Sequence, residues 1–190
     1  MRVRKQGIDR RNVVEAYARY DCSKTHRPVP LLATWDWSKA DVIDREMKRA
    51  HLKVGVLAGY LLWDEVEIVM SDLRECAVYG GIFPGQSRKL GLVGADELAG
   101  WKPDRDCAWH SDIVEGRTLA ETAPMLLRPA VSAEAPACWY IEDGSGRAVA
   151  FVANQRIFDP SRILAIGYLG RKPDPESSFM CKELRELLCR

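Results

Sequence analysis

Apolar positions recur at helical spacing in two stretches near the amino terminus. Between Asn12 and Tyr20, the residues Val13, Ala16, Tyr17 and Tyr20 fall on one side of a short helix. Arg27-Pro28-Val29-Pro30 breaks it and leads into Leu31-Leu32-Ala33-Thr34-Trp35, an apolar stretch that reads as a strand. Ser38 followed three residues later by Asp41 has the signature of a capping box, because both side chains can satisfy free amides at a helix start. The helix predicted after it buries Ile43, Met47, Ala50 and Val54. The pattern from Gly55 to Gly81 is ambiguous: Val66, Ile68 and Met70 alternate with Glu67 and Val69, which favours a strand, with a second helix as the alternative. From Gly80 to Pro103 glycines and turn residues dominate, predicting loops or a hairpin with short strands around Ile82-Phe83 and Leu90 to Val93.

The last third is patterned more sharply. Ala123 to Ala130 is an apolar strand bracketed by prolines, and Cys138-Trp139-Tyr140-Ile141 is a second one, rich in aromatic and β-branched residues. Gly144-Ser145-Gly146 forces a turn. Arg147 to Ile157 then reads as a helix with Ala150, Phe151 and Asn154 at helical spacing, stopped by Asp159-Pro160. Ile163 to Leu169 is a further strand, and Ser177 or Ser178 caps a final helix burying Met180 or Cys181, then Leu184, Leu187 and Leu188. The elements add up to a mixed α+β fold in a single domain spanning residues 1–190, with a basic extension over 1–25 and a core over about 110–170.

Composition changes this picture little. A chain of 190 residues with 47% hydrophobic and 29% charged residues buries a core without needing a metal or a disulfide. The net charge of +1 does not announce a nucleic-acid binder, but its distribution is uneven. Arg2, Arg4, Lys5, Arg10, Arg11 and Arg19 crowd the amino terminus against only Asp9 and Glu15. Such an arm suits DNA phosphates or anionic lipid headgroups, and equally a solvated extension. The six cysteines include no C-x-x-C pair, and no histidine stands in a zinc-finger pattern with them. With no secretory signal and no apolar run long enough to span a bilayer, the expectation is a cytoplasmic protein with reduced thiols, at most peripheral to the inner membrane.

One segment carries chemistry. In Glu142-Asp143-Gly144-Ser145-Gly146-Arg147, a strand runs through two acids and a glycine turn into a helix start. The first amides of a helix lack intrahelical partners and the dipole is positive there, so an anion is welcome. Glycines let the backbone turn and a phosphate approach; Ser145 offers a hydroxyl and Arg147 a guanidinium fork. Glu142 and Asp143 point to opposite faces of a strand, so one of them faces the site, where it could align a water or hold Mg²⁺. The alternative is a solvated turn of purely structural value.

Residues 124–154, from Pro-Met-Leu-Leu-Arg-Pro-Ala through Trp-Tyr-Ile-Glu-Asp-Gly-Ser-Gly-Arg-Ala-Val-Ala-Phe to Asn154, resemble the core of the ParB/sulfiredoxin superfamily. There an apolar P-x-x-x-R strand precedes a strand ending in D-G-x-x-R-x-x-A and a helix, and the loop cradles nucleotide phosphates. Two departures matter. Ser145 and Gly146 stand where sulfiredoxin has its cysteine, which excludes a thiol reductase; the Glu-Arg-Arg run of partition proteins is reduced to Arg147. The branch left is that of the phosphohydrolases, and the chain is further similar to the Osa (oncogenic suppression) type of plasmid fertility-inhibition proteins. The resemblance implies an ATPase and DNase acting on ATP and DNA, with Mg²⁺. It also implies a block on DNA transfer by a type IV secretion system, through the machinery or its DNA-relaxase substrate. By motif it assigns Asp143, Gly144 and Arg147; Glu142 is added from its position. A non-catalytic adaptor of the secretion machinery and a nucleotide-gated DNA-binding protein are the alternatives.

Lesser candidates complete the list. Arg128 on the first core strand either reaches the phosphates or forms a structural salt bridge. Trp109-His110-Ser111-Asp112 groups triad-like residues, but triad members meet in space rather than in sequence. Glu115, Glu121 and Glu134 offer further carboxylates. Trp35-Asp36-Trp37 and Trp139-Tyr140 could stack on bases or fill a core.

Overall fold

The computed structural model describes residues 1–26, 28–50, 52, 56–79, 81–83, 87–103, 107–119 and 124–177. The final helix expected after Ser177, the apolar Val54, the Pro84-Gly85 turn and Glu121 lie outside the described residues. Strand β1 (Arg2–Asp9) is followed by α1 (Arg10–Thr25), α2 (Ala40–Arg49), the single turn α3 (Val56–Gly59) and β2 (Tyr60–Ile68). Next come α4 (Met70–Arg74), β3 (Cys76–Val78), β4 (Arg88–Lys89), α5 (Ala95–Gly100) and α6 (Ala108–Val114). The chain continues through β5 (Met125–Pro129), β6 (Trp139–Asp143), α7 (Ser145–Ala153) and β7 (Ala165–Pro173). The strands form one seven-stranded mixed sheet in the order β1-β2-β7-β5-β6-β3-β4. Strand β6 lies antiparallel to β5 and parallel to β3, which in turn takes β4 antiparallel. The expected α+β class is therefore correct.

The fold divides into two compact units, one of Met1–Arg4 with Val66–Gly167 and the other of Lys5–Glu65 with Tyr168–Arg190. In the first, α7 lies against α4, α5 and α6, and Leu73, Ile113, Met125, Ile141, Val149 and Phe151 are fully enclosed. In the second, α3 meets α1 and α2 over Val13, Val14, Ile43, Met47, Leu57 and Trp63. Burying each such aliphatic or aromatic side chain contributes about 1.5–3 kcal/mol, which is what holds these short helices in place.

Several local expectations need correction. The basic amino-terminal stretch is β1, the edge strand of the sheet, followed by α1. Asp9 caps that helix, accepting a 2.8 Å hydrogen bond from the Arg11 amide. Leu31–Trp35 is not a strand: a 3₁₀ turn spans Leu32–Thr34, and Leu31 is 79% exposed while Leu32 alone is buried there. Ser38 does not cap α2; its hydroxyl donates to Asp36 Oδ1 at 2.6 Å, closing a local turn that outcompetes the capping box. Ile82-Phe83 sits in a turn and Leu90–Leu92 in a 3₁₀ turn, so the middle strands are β3 and β4 instead. The helix expected from Arg147 begins two residues earlier, at Ser145.

Candidate functional site

Strand β6 delivers the chain to the glycine turn, and a bulge between Leu126 and Leu127 of β5 brings Leu126 opposite Asp143. Gly144 turns the chain with φ +98, the left-handed region that side chains avoid. A Cβ there would lie 2.9 Å from Met125 Cγ and 3.0 Å from Arg147 Nη2, so the position admits glycine alone without rearrangement. The Ala148 amide donates to Gly144 O at 2.9 Å and starts the helical ladder. The amides of Ser145 and Gly146 precede that ladder, the capping residue Gly144 has no side chain to offer them, and the first turn of α7 holds no acid.

The side chains at this turn do less of the expected work than the backbone. Ser145 Oγ donates to Ile141 O at 3.0 Å, so its hydroxyl is turned back onto β6. Arg147 is only 5% exposed, and its Nη2 donates to Asp143 Oδ2 at 2.9 Å and to Pro124 O at 3.2 Å. The guanidinium expected to fork onto a phosphate thus faces inward and fastens the helix start to the end of β6 and to the residue before β5.

Glu142 and Arg128 belong to a second network. Arg128 directly faces Tyr140 across the strand pair, its guanidinium carbon 4.1 Å from the ring centroid. Its Nε donates to Glu142 Oε1 at 2.6 Å, while Nη1 and Nη2 grip the two oxygens of Glu134 at 2.7 and 2.6 Å. Glu134 also accepts from the Val131 amide at 2.8 Å. Burial raises the Glu142 pKa; the Arg128 charge and hydrogen bond oppose the rise, and the negative Glu134 adds to it. Burial works against the Arg128 charge too, but the hydrogen bonds to Glu134 and the charge of Glu142 outweigh it and raise its pKa. Two carboxylates therefore share one guanidinium, and Arg128 is a structural ion-pair partner rather than a phosphate ligand.

No group of three histidine, cysteine or acidic side chains among the described residues could hold a metal ion. Glu142 and Asp143 lie on opposite faces of β6 and each is engaged by an arginine, so they do not form a resident Mg²⁺ site. Of the residues predicted to contact DNA, Arg2 is 84% and Arg4 47% exposed by side chain, both 3.8 Å from Glu67. Lys5 and Arg11 are exposed in the other unit. Arg10 is not available: it is 3% exposed and donates to Asp174, Ala58 O and Trp37 O at 2.6, 3.1 and 2.8 Å.

Sequence reasoning named Trp109 and His110 only within a triad-like run and passed over Trp101. A Cβ on Gly146 would meet Trp101 and Trp109 at 3.5 Å each, an ordinary contact, so two indoles stand over the second residue of α7. His110 lies edge-on to both rings, at 6.3 and 5.8 Å between centroids. Trp109 and His110 share α6, and Asp112 is paired with Arg117 at 2.9 Å, so the Trp-His-Ser-Asp run is not a triad. Trp101 precedes Trp109 by eight positions and lies outside α6. Comparisons with protein-family models, with curated proteins and with solved structures give no match to this chain.

Proposed function

We propose that the chain binds the phosphates of ATP at the first turn of α7 and acts as a DNA-cutting phosphoester hydrolase that restricts DNA transfer through a type IV secretion system. The observation that carries the first part is the uncapped helix start. Two backbone amides, those of Ser145 and Gly146, follow a glycine-only turn whose capping residue has no side-chain acceptor, with no acid in the first turn, a ready anion site. Trp101 and Trp109 beside Gly146 offer a surface for the base. Arg147 serves as a positioning residue, holding Asp143 at the turn. Asp143 would take the proton of a water attacking phosphorus as the bond to the leaving oxygen breaks, and the exposed Arg2 and Arg4 of β1 would neutralise DNA phosphates. The DNA-transfer role rests on the resemblance of residues 124–154 to the ParB/sulfiredoxin core and on the similarity to fertility-inhibition proteins. No step is routed through Mg²⁺, since the described side chains do not form a site for it.

A second reading has an observation of its own. Arg128, Glu142, Asp143 and Arg147 are all committed to internal ion pairs, which favours a non-catalytic adaptor that inhibits the secretion machinery by contact. A nuclease and ATPase assay on the purified protein separates the two. Hydrolysis that is lost in Asp143→Asn supports the enzyme; no turnover of ATP and no loss of supercoiled or linear DNA at high protein concentration leaves the adaptor.

A further inference from the structure

The unit built from Lys5–Glu65 and Tyr168–Arg190 holds an open pocket of about 180 Å³ lined by Asp9, Arg10, Trp37, Leu61, Leu62 and Lys172. Its aromatic wall is fixed in place. The Trp37 indole N–H donates to Leu32 O at 3.1 Å, and its carbonyl accepts from Arg10 Nη2 at 2.8 Å. Its ring stacks on Trp35 with centroids 5.5 Å apart and planes 26° from parallel. Arg10 is itself anchored by Asp174, and its bonds to Asp174, Ala58 O and Trp37 O use three of the five N–H groups a guanidinium carries.

Charge is distributed unevenly around this wall. The Arg11 guanidinium lies 5.9 Å from the Trp37 ring centroid and has no carboxylate partner among the described residues. Lys172, on the pocket lining, has no ion-pair partner among the described residues either. Buried Arg10 is neutralised by Asp174, which leaves Lys172 on the pocket lining and Arg11 beside the Trp37 ring as the cations without a carboxylate partner among the described residues. Asp9 on the lining makes the interior unsuitable for a bare anion but suits a ring edge that carries N–H donors. The volume falls below the ~300–1,000 Å³ of pockets that enclose a drug-sized ligand, so it fits one ring system with its charged group left outside.

We propose that this pocket takes one nucleoside monophosphate unit, its base against Trp37, Leu61 and Leu62 and its phosphate on Lys172 and Arg11. The unit comes either from a free nucleotide or from a single strand threaded across the surface. This site explains how Arg11 would serve DNA, rests on the proposed DNA-handling role only for the choice of strand over free nucleotide, and does not involve the α7 turn.

The test uses the full-length protein with fluorescently labelled oligothymidylate, the corresponding duplex, and dTMP or AMP as competitors. Wild type should bind the single strand more tightly than the duplex. Trp37→Leu, with its fold checked by circular dichroism, should weaken that binding about tenfold or more. Arg11→Gln with Lys172→Gln, both at exposed positions, should weaken it as well and flatten the log-affinity against log-salt slope by roughly 0.7 per cation removed. Competition by dTMP or AMP at low concentration assigns the pocket to free nucleotide; competition only by oligonucleotide assigns it to a strand. Unchanged single-strand affinity in both variants overturns the proposal. So does binding of anionic vesicles, but not oligonucleotides, that the same variants abolish. ATP turnover lost in Asp143→Asn while oligonucleotide binding persists would show the two sites failing or standing separately.

Discussion

Asp143 and Arg147 face each other across the Gly144 turn, joined at 2.9 Å with the arginine almost wholly buried. The pair spans one helical turn and links the last residue of β6 to the third of α7. Removing Arg147 therefore disturbs more than ligand contact. Arg147→Ala should lower stability by about 1–3 kcal/mol, because Asp143 and Pro124 O lose a charged donor. Thermal or urea unfolding measures it. ATP binding should fall in parallel, and a variant as stable as wild type would contradict the buried role.

The two glycines of the turn should separate cleanly. Gly144→Ala places a Cβ at positive φ and 2.9 Å from Met125 Cγ, so it should destabilise the protein by about 1–3 kcal/mol. Gly146→Ala meets only ordinary contacts with Trp101 and Trp109 and improves helix propensity, so its stability should equal or exceed that of wild type. If phosphate lies on the first turn of α7, the extra methyl should nonetheless weaken ATP binding, read by titration calorimetry.

Among the described residues, Arg128 is the only cation paired with Glu134 and Glu142. Arg128→Ala strands two carboxylates beside each other and should cost about 3–5 kcal/mol at neutral pH. Acidification neutralises Glu142, whose pKa burial already raises, so the loss relative to wild type should shrink as pH falls. Equilibrium unfolding at two pH values gives both numbers.

Glu142 supplies a pH signature of the opposite sense to the usual salt-bridged acid. Its folded pKa lies above the ordinary carboxylate value, so the folded chain holds this proton more firmly than the unfolded one. Its contribution to stability is most favourable below the ordinary value and is lost as pH rises through the raised one. Glu142→Gln should remove that dependence. Relative to wild type, the variant should gain stability as pH climbs through and above the carboxylate range, which melts at stepped pH would reveal.

The sequence was most readable where one face of an element meets a core. Ile43 and Met47 on α2 carry the helical spacing that their burial enforces, β5 is an apolar run buried over four successive residues, and Gly144 marks the turn into α7. Strand β1 carries no such pattern, since Arg2 through Gly7 are exposed on both faces and no alternation is imposed. The apolar Leu31–Trp35 run misled because its residues serve a turn and an aromatic stack rather than a sheet. The site was legible as a backbone motif but not as side-chain chemistry. Arg10 and Asp174 are paired across 164 positions, and nothing local marks such a partner; Trp101 reaches Gly146 by the same kind of distant closure.

Among the described residues strand β1 ends the sheet on one side, with no described strand beyond its outer backbone groups. An unpaired strand margin is a template onto which another copy of a chain can add itself. The cations along Arg2, Arg4 and Lys5 make a like-charged copy an unfavourable neighbour, whatever else they bind. Replacing the three with glutamine or threonine would remove this electrostatic guard, and light scattering should then record self-association that grows with protein concentration and with salt-independent persistence.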